Sequence, residues 1–169
     1  MAAAAFLAFL VLQRLGELFL ARRNTARLMA TGAVEHGAGH YPVVVALHTA
    51  WIGAMGIWGW NAPIHLGWLA AFVVLQGLRI WVLATLGPRW TTRIIVPANP
   101  GAGVVRQGPF RFMRHPNYAV VCAEMVVAPM VLGLPWIAVV FGVANLAFLA
   151  LVRIPAEARA LEPLRRTTL

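Results

Sequence analysis

Arg114-His115-Pro116-Asn117-Tyr118 gathers a guanidinium, an imidazole and a phenol directly ahead of an apolar run. Gly108-Pro109-Phe110-Arg111 leads into it. Pro116 suits the first turn of a helix, where its missing N–H costs nothing. The remaining free N–H groups of such a turn suit an anionic or polar ligand. A second set, Arg153-Ile154-Pro155-Ala156-Glu157, follows the last apolar run. Arg153 and Glu157 are i, i+4 and share one helix face. An arginine at this point can clamp a carboxylate or enolate with its planar fork. Metal chemistry is not expected. His36 and His40 are also i, i+4, but a metal site needs three or four ligands and none accompanies them. Cys122 is the lone cysteine and lies in an apolar run, so it reads as packing.

A further group of polar residues interrupts otherwise apolar segments. Arg14 lies six residues before the end of the first segment, and His48 seven residues into the second. Arg79 lies seven residues from the end of the third, Glu124 seven past Asn117, and Asn145 seven before Val152. At helical rise each is about 10 Å below the same interface. Each alone has an ordinary explanation. Arg14 and Arg79 can snorkel, Glu124 can pair with one of them, and His48 can be a hydrogen-bonded core residue. As a layer they predict a polar cavity, with His48, Arg79, Glu124 and Asn145 as candidates for lining its substrate side. Ionisable groups at membrane depth are functional candidates by default.

The segments that carry these residues follow from composition. The chain has 169 residues, 61% hydrophobic and 11% charged. A soluble domain has about 25% charged residues, so a water-facing surface cannot be made here. The net charge is +9, and all 14 basic residues are arginine. In so apolar a chain this marks membrane edges and buried anion sites rather than nucleic-acid binding. The apolar runs predict an all-α membrane bundle of about five spans. These are Ala2–Leu20, Tyr41–Trp60, Ile64–Leu86, and a C-terminal hairpin of Tyr118–Leu132 and Trp136–Val152. The start lacks a basic flank, so Met1–Leu12 reads as part of the first helix rather than a cleaved signal. The whole chain, 1–169, reads as one membrane domain. Residues 1–86 form three N-terminal helices, and 87–169 form a binding loop, the hairpin and a polar tail. Twelve arginines lie in Ala21–His40, Gly87–Asn117 and Arg153–Leu169, and none in the opposite turns. This asymmetry predicts that those three segments face the cytoplasm.

Gly-Pro-Phe-Arg-(x)2-Arg-His-Pro-x-Tyr, a helical hairpin and then Arg-Ile-(x)2-Glu resemble the isoprenylcysteine carboxyl methyltransferase superfamily. The likeness covers Gly108 to Leu161. It departs at Ala158, where the family often has a second glutamate. The resemblance implies an integral membrane enzyme that uses S-adenosyl-L-methionine. It further implies that His115, Pro116 and Tyr118 contact the cofactor, with Glu157 close to its amino-acid end, and that Gly108 and Pro109 shape the adjoining loop. Arg114 is a further cofactor-binding candidate. The catalytic candidates are Arg153, to hold the acceptor oxygen, and Glu157, to orient Arg153 or the cofactor amine. The run Leu86-Gly87-Pro88-Arg89-Trp90-Thr91-Thr92-Arg93-Ile94-Ile95-Val96 is similar to a bacterial branch associated with type III polyketide synthases. Members of that branch O-methylate long-chain alkylpyrones or related phenolic lipids. The implied partners are a lipophilic substrate drawn from the bilayer and membrane lipids, in a bacterial inner membrane. Prenyl-cysteine carboxylates and phospholipid amines are the other acceptors within the superfamily. A small transporter or scaffold would explain the spans but not the paired motifs. Gly101-Ala102-Gly103 lacks the third glycine and βαβ setting of a soluble nucleotide-binding loop.

Overall fold

The computed structural model describes residues 1–99 and 103–166, the last four by their backbone alone. Gly101 and Ala102 of the glycine-rich run lie outside these residues. The helices are α1 (Ala2–Ala30), α2 (Tyr41–Gly59), α3 (Leu66–Leu86), α4 (Pro116–Val131), α5 (Pro135–Phe148) and α6 (Ile154–Arg166). A widened π turn at Leu149–Arg153 joins α5 to α6, so the chain runs as one helical rod from Pro135 to Glu162. Pro155 accounts for the widening: it has no N–H for the carbonyl four residues back, and its ring would strike that carbonyl.

Helices α1, α2, α3 and the α5–α6 rod are each long and apolar enough to cross a membrane. Helix α4 has 16 residues. That is about 24 Å, short of the ~30 Å hydrocarbon core. The outer surface confirms the solvent. Ile57, Val73, Val143 and Leu151 are all more than 60% exposed. Large apolar side chains on the outside of every long rod suit lipid and not water. The protein is an integral membrane helix bundle, as its composition predicts.

Polar sequence marks where the membrane ends, not where a helix ends. The first apolar run stops at Leu20, yet α1 continues through Ala30. Residues 21–30 are mostly Ala, Arg, Leu and Met, all good helix formers, and no glycine occurs between Gly16 and Gly32. Asn24 anchors this extension, donating from Nδ2 to the carbonyls of Trp90 at 2.9 Å and Gly87 at 3.3 Å. A second departure from the sequence reading is a small antiparallel ribbon. Strand β1 (Val34–His36) pairs with β2 (Ile94–Val96), with Glu35 opposite Ile95.

The core and the cavity occupy opposite ends of the bundle. Phe6, Leu7 and Leu10 of α1 pack with Trp51 and Met55 of α2, Phe72 of α3, Met125 and Val131 of α4, and Ile137 of α5. Phe6 and Phe72 meet edge to face, their centroids 5.1 Å apart. Those residues all lie toward the Asn61 and Gly133 turns. Gly59 shows how tight that end is, since a Cβ there would stand 2.8 Å from Leu132 Cδ1. The arginine-rich end is open.

Candidate active site

A cavity of about 1170 Å³ occupies the open end, walled by α1, α2, the α5–α6 rod and the loops that follow α3. Its mouth is built by two helix junctions. Pro116 opens α4 at the first turn, with His115 as the preceding cap. That leaves His115 and Tyr118 one turn apart, and their rings stack at 5.6 Å with a 19° interplanar angle. Opposite them the π turn carries Arg153, which is 5% exposed. Arg153 donates from Nη2 to the Thr92 carbonyl at 2.7 Å and from Nε to the Tyr118 hydroxyl at 3.4 Å. No described residue accepts from its Nη1. One helical turn on, Glu157 Oε2 lies 3.8 Å from His115 Nδ1. That oxygen is enclosed and has no hydrogen-bond partner among the described residues. Arg153 and Glu157 share a face as expected and both reach Tyr118, but they do not pair with each other.

Thr92 and Tyr41 join this cluster, although the sequence reading gave neither of them a role in the site. The Thr92 hydroxyl meets the Tyr41 hydroxyl at 3.4 Å. Arg93 lies 4.3 Å over the Tyr41 ring and bridges to Glu35 at 2.9 Å. The ribbon thereby ties the start of α2 to the residue whose carbonyl holds Arg153.

Other motif residues stand behind the wall. Gly108 has φ +55°, and a Cβ on it would stand 2.5 Å from Thr85 Oγ1. The loop is pressed onto α3 there, and only glycine fits. Pro109 and Pro116 are buried. None of the three lines the cavity, whereas Arg114, His115, Tyr118, Arg153 and Glu157 do. Arg114 is solvent-exposed at the rim.

The deep end of the cavity is closed by an ion network. Arg14 bridges Glu17 at 2.9 Å and Glu124 at 2.7 Å. Arg79 bridges Glu124 at 2.5 Å and also grips both oxygens of Glu17. Gln13 donates to Gln76 at 2.6 Å, and Gln76 donates to Glu124 at 2.9 Å. The two arginines and two glutamates sum to zero charge, which is how a low-dielectric interior tolerates them. Arg14, Glu17 and Arg79 reach the cavity, while Glu124 is fully buried behind them. Glu17 is the member with no assigned role in the sequence reading. Its spacing from Gln13 (i, i+4) was the available signal. His48 and Asn145 both line the cavity; His48 Nδ1 bonds the Val44 carbonyl at 2.9 Å, and Asn145 Nδ2 donates to Cys122 Sγ at 3.4 Å. Among the described residues no group of three metal-ligating side chains occurs.

Two comparisons bear on this arrangement. Residues 68–163 match the model of the isoprenylcysteine carboxyl methyltransferase (ICMT) family. A relative from Bacillus subtilis (strain 168), "Uncharacterized protein YpbQ", is 34% identical over 161 residues, covering 92% of this chain and 94% of its own. The family match spans more than half of the chain and contains α4, the π turn, Arg153 and Glu157. Methyltransferases of this family use S-adenosylmethionine. The chain therefore belongs to the isoprenylcysteine carboxyl methyltransferase family, as a membrane-bound methyltransferase.

Proposed function

We propose that this protein O-methylates an acidic hydroxyl or carboxyl group on a long-chain lipid, with alkylpyrones and phenolic lipids as the acceptor class. The observation that carries this reading is the mouth of the cavity, where Arg153 has an unspent donor edge and Glu157 has an unspent oxygen. The residues fit the cofactor's chemistry. An enclosed carboxylate oxygen without a partner is costly unless a ligand donor completes it, and the amino-acid ammonium of S-adenosylmethionine is such a donor. When bound, S-adenosylmethionine supplies an electrophilic methyl group on a sulfonium. His115 and Tyr118 offer a stacked aromatic pair beside Glu157. Arg153 holds the acceptor oxygen and favours its ionised form, because a guanidinium stabilises the oxyanion by charge-assisted hydrogen bonding. An acidic pyrone or phenol then needs no strong base, and the protein's main task is alignment.

The cavity wall suits such an acceptor. It carries eight arginines and two glutamates, a field that draws in anions and opposes an ammonium headgroup. This argues against phospholipid amines. Val11 and Leu15 of α1 and Val45 of α2 line the cavity while being more than a third exposed on the bundle's side. A hydrocarbon tail can therefore leave sideways between α1 and α2 into the bilayer. The arginine asymmetry supports a cytoplasmic mouth in a bacterial inner membrane. A type III polyketide synthase is the supplier this acceptor class calls for.

Purified protein in nanodiscs tests the reading directly. S-adenosylhomocysteine binds saturably in calorimetry, and radiolabelled methyl passes from S-adenosylmethionine to alkylpyrones or alkylresorcinols. Transfer to a prenyl-cysteine alone replaces the acceptor class. Absence of cofactor binding by folded protein overturns the proposal.

A further inference from the structure

The family match begins at residue 68, so α1 and α2 lie outside it. These two helices nevertheless build one side of the cavity, including its deep polar end. What they contribute lies outside the segment that the family model matches. Most polar side chains at that end are already committed. The charges of Arg14 and Arg79 are paired with Glu17 and Glu124, and Asn145 donates to Cys122.

His48 differs. Its Nδ1 lies 2.9 Å from the Val44 carbonyl. A carbonyl oxygen only accepts, so Nδ1 carries the proton, and in the neutral ring Nε2 is a bare acceptor. No described residue donates to that nitrogen, and His48 lines the cavity. His48 lies about two helical turns from Tyr41, the first residue of α2, whose hydroxyl meets Thr92. Thr92 is the residue whose carbonyl holds Arg153. An acceptor atom with a fixed tautomer and no protein donor thus faces the cavity that Arg153 serves.

We propose that His48 is a specificity-determining residue that accepts a hydrogen bond from a second hydroxyl of the acceptor, while the first is held at Arg153 for methylation. The proposal rests on the reading of a hydroxyl-bearing lipid acceptor. It assigns this chain a preference for dihydroxylated rings over singly hydroxylated ones. The interaction is one of binding and orientation, and no proton leaves the second hydroxyl.

The test compares an alkylresorcinol with an alkylphenol of equal chain length, using radiolabelled S-adenosylmethionine and the protein in nanodiscs. Wild type prefers the alkylresorcinol by about tenfold in kcat/KM, the size of one well-made hydrogen bond. His48→Leu abolishes that preference, mostly through KM. His48→Gln, whose side-chain oxygen still accepts, restores part of it. S-adenosylhomocysteine binding reports that each variant is folded, and His48→Phe replaces His48→Leu if the latter fails that check. An unchanged preference in the folded variants overturns the assignment, as does a wild type that treats the two lipids alike. Wild type that methylates neither lipid but accepts a prenyl-cysteine overturns the acceptor reading beneath it, a result distinguishable from either of these.

Discussion

The two arginine–glutamate clusters of this molecule use the same residue types to opposite ends. At the deep end, Arg14, Glu17, Arg79 and Glu124 bind one another from three helices, and Glu124 accepts from Arg14, Arg79 and Gln76. At the mouth, Arg153 and Glu157 stand one turn apart and do not pair. Arg153 leans on a backbone carbonyl, and Glu157 keeps an enclosed oxygen without a partner. A cluster whose charges all pair with one another is neutral and holds helices in register, even though Arg14 Nε and Gln13 Oε1 have no hydrogen-bond partner among the described residues. An unsaturated one is unfavourable until a ligand completes it. Mutual charge pairing, rather than residue type or depth, separates structural from binding charge here.

The largest expected effect tests the saturated side. Glu124→Ala leaves Arg14 and Arg79 short of a carboxylate at a fully buried position. Breaking a buried ion pair from one side costs about 3–5 kcal/mol. That is much of the stability of a domain this size. The variant should show sharply reduced folded yield and thermal stability in detergent, with Glu124→Gln less affected. A well-folded Glu124→Ala that has lost only activity would break the comparison and move the network into the site.

Next comes Arg153→Ala. Removing the proposed oxyanion partner should lower kcat/KM by about a thousandfold, the scale seen when one preorganised donor is lost. Folded yield and S-adenosylhomocysteine binding should stay close to wild type, the reverse of the Glu124 pattern. Arg153→Lys should recover little, since an ammonium cannot reproduce the fork that spans Thr92 and a substrate oxygen. Retained turnover in Arg153→Ala would remove this residue from the chemistry.

How far these clusters were legible beforehand depends on sequence distance. The helices follow from apolar runs, and the mouth follows from two short motifs in which every member lies within one or two turns of the next. Even there Arg153 and Glu157 share a face without pairing. Thr92, 61 residues away, takes the guanidinium. The deep network was visible as a layer of polar residues but not as a set of bonds. Arg79 meets Glu17 across 62 residues, and no local spacing encodes that. The ribbon was invisible for a related reason. Strands of three residues carry no periodicity, and β1 finds β2 only because α1 and α3 bring their ends together.

Glu157→Gln sharpens the comparison from the unsaturated side. The amide keeps the shape of the carboxylate but cannot neutralise an ammonium. Affinity for S-adenosylhomocysteine should fall by about ten- to a hundredfold, as expected when a charge-assisted hydrogen bond becomes a neutral one. Thermal stability without ligand should hold or rise slightly, because one oxygen of the removed carboxylate, Oε2, is enclosed without a hydrogen-bond partner. A drop in ligand-free stability would mean that the 3.8 Å contact with His115 already saturates this carboxylate.

The smallest effect concerns the scaffold that keeps the two clusters apart. Asn24 is buried on the extension of α1, and its amide holds the carbonyls of Trp90 and Gly87. Those residues start the segment that reaches Thr92 and so Arg153. Asn24→Ala leaves one buried carbonyl without its donor, at a cost of about 1–3 kcal/mol. The deep network lies more than a helical turn away along α1 and should be untouched. The loss should therefore appear as lower kcat/KM and faster proteolysis between residues 87 and 99, with the global thermal midpoint moving by only a few degrees. Equal losses in both readouts would show that the mouth and the deep end fold as one cooperative unit, and that charge pairing divides their chemistry without dividing their stability.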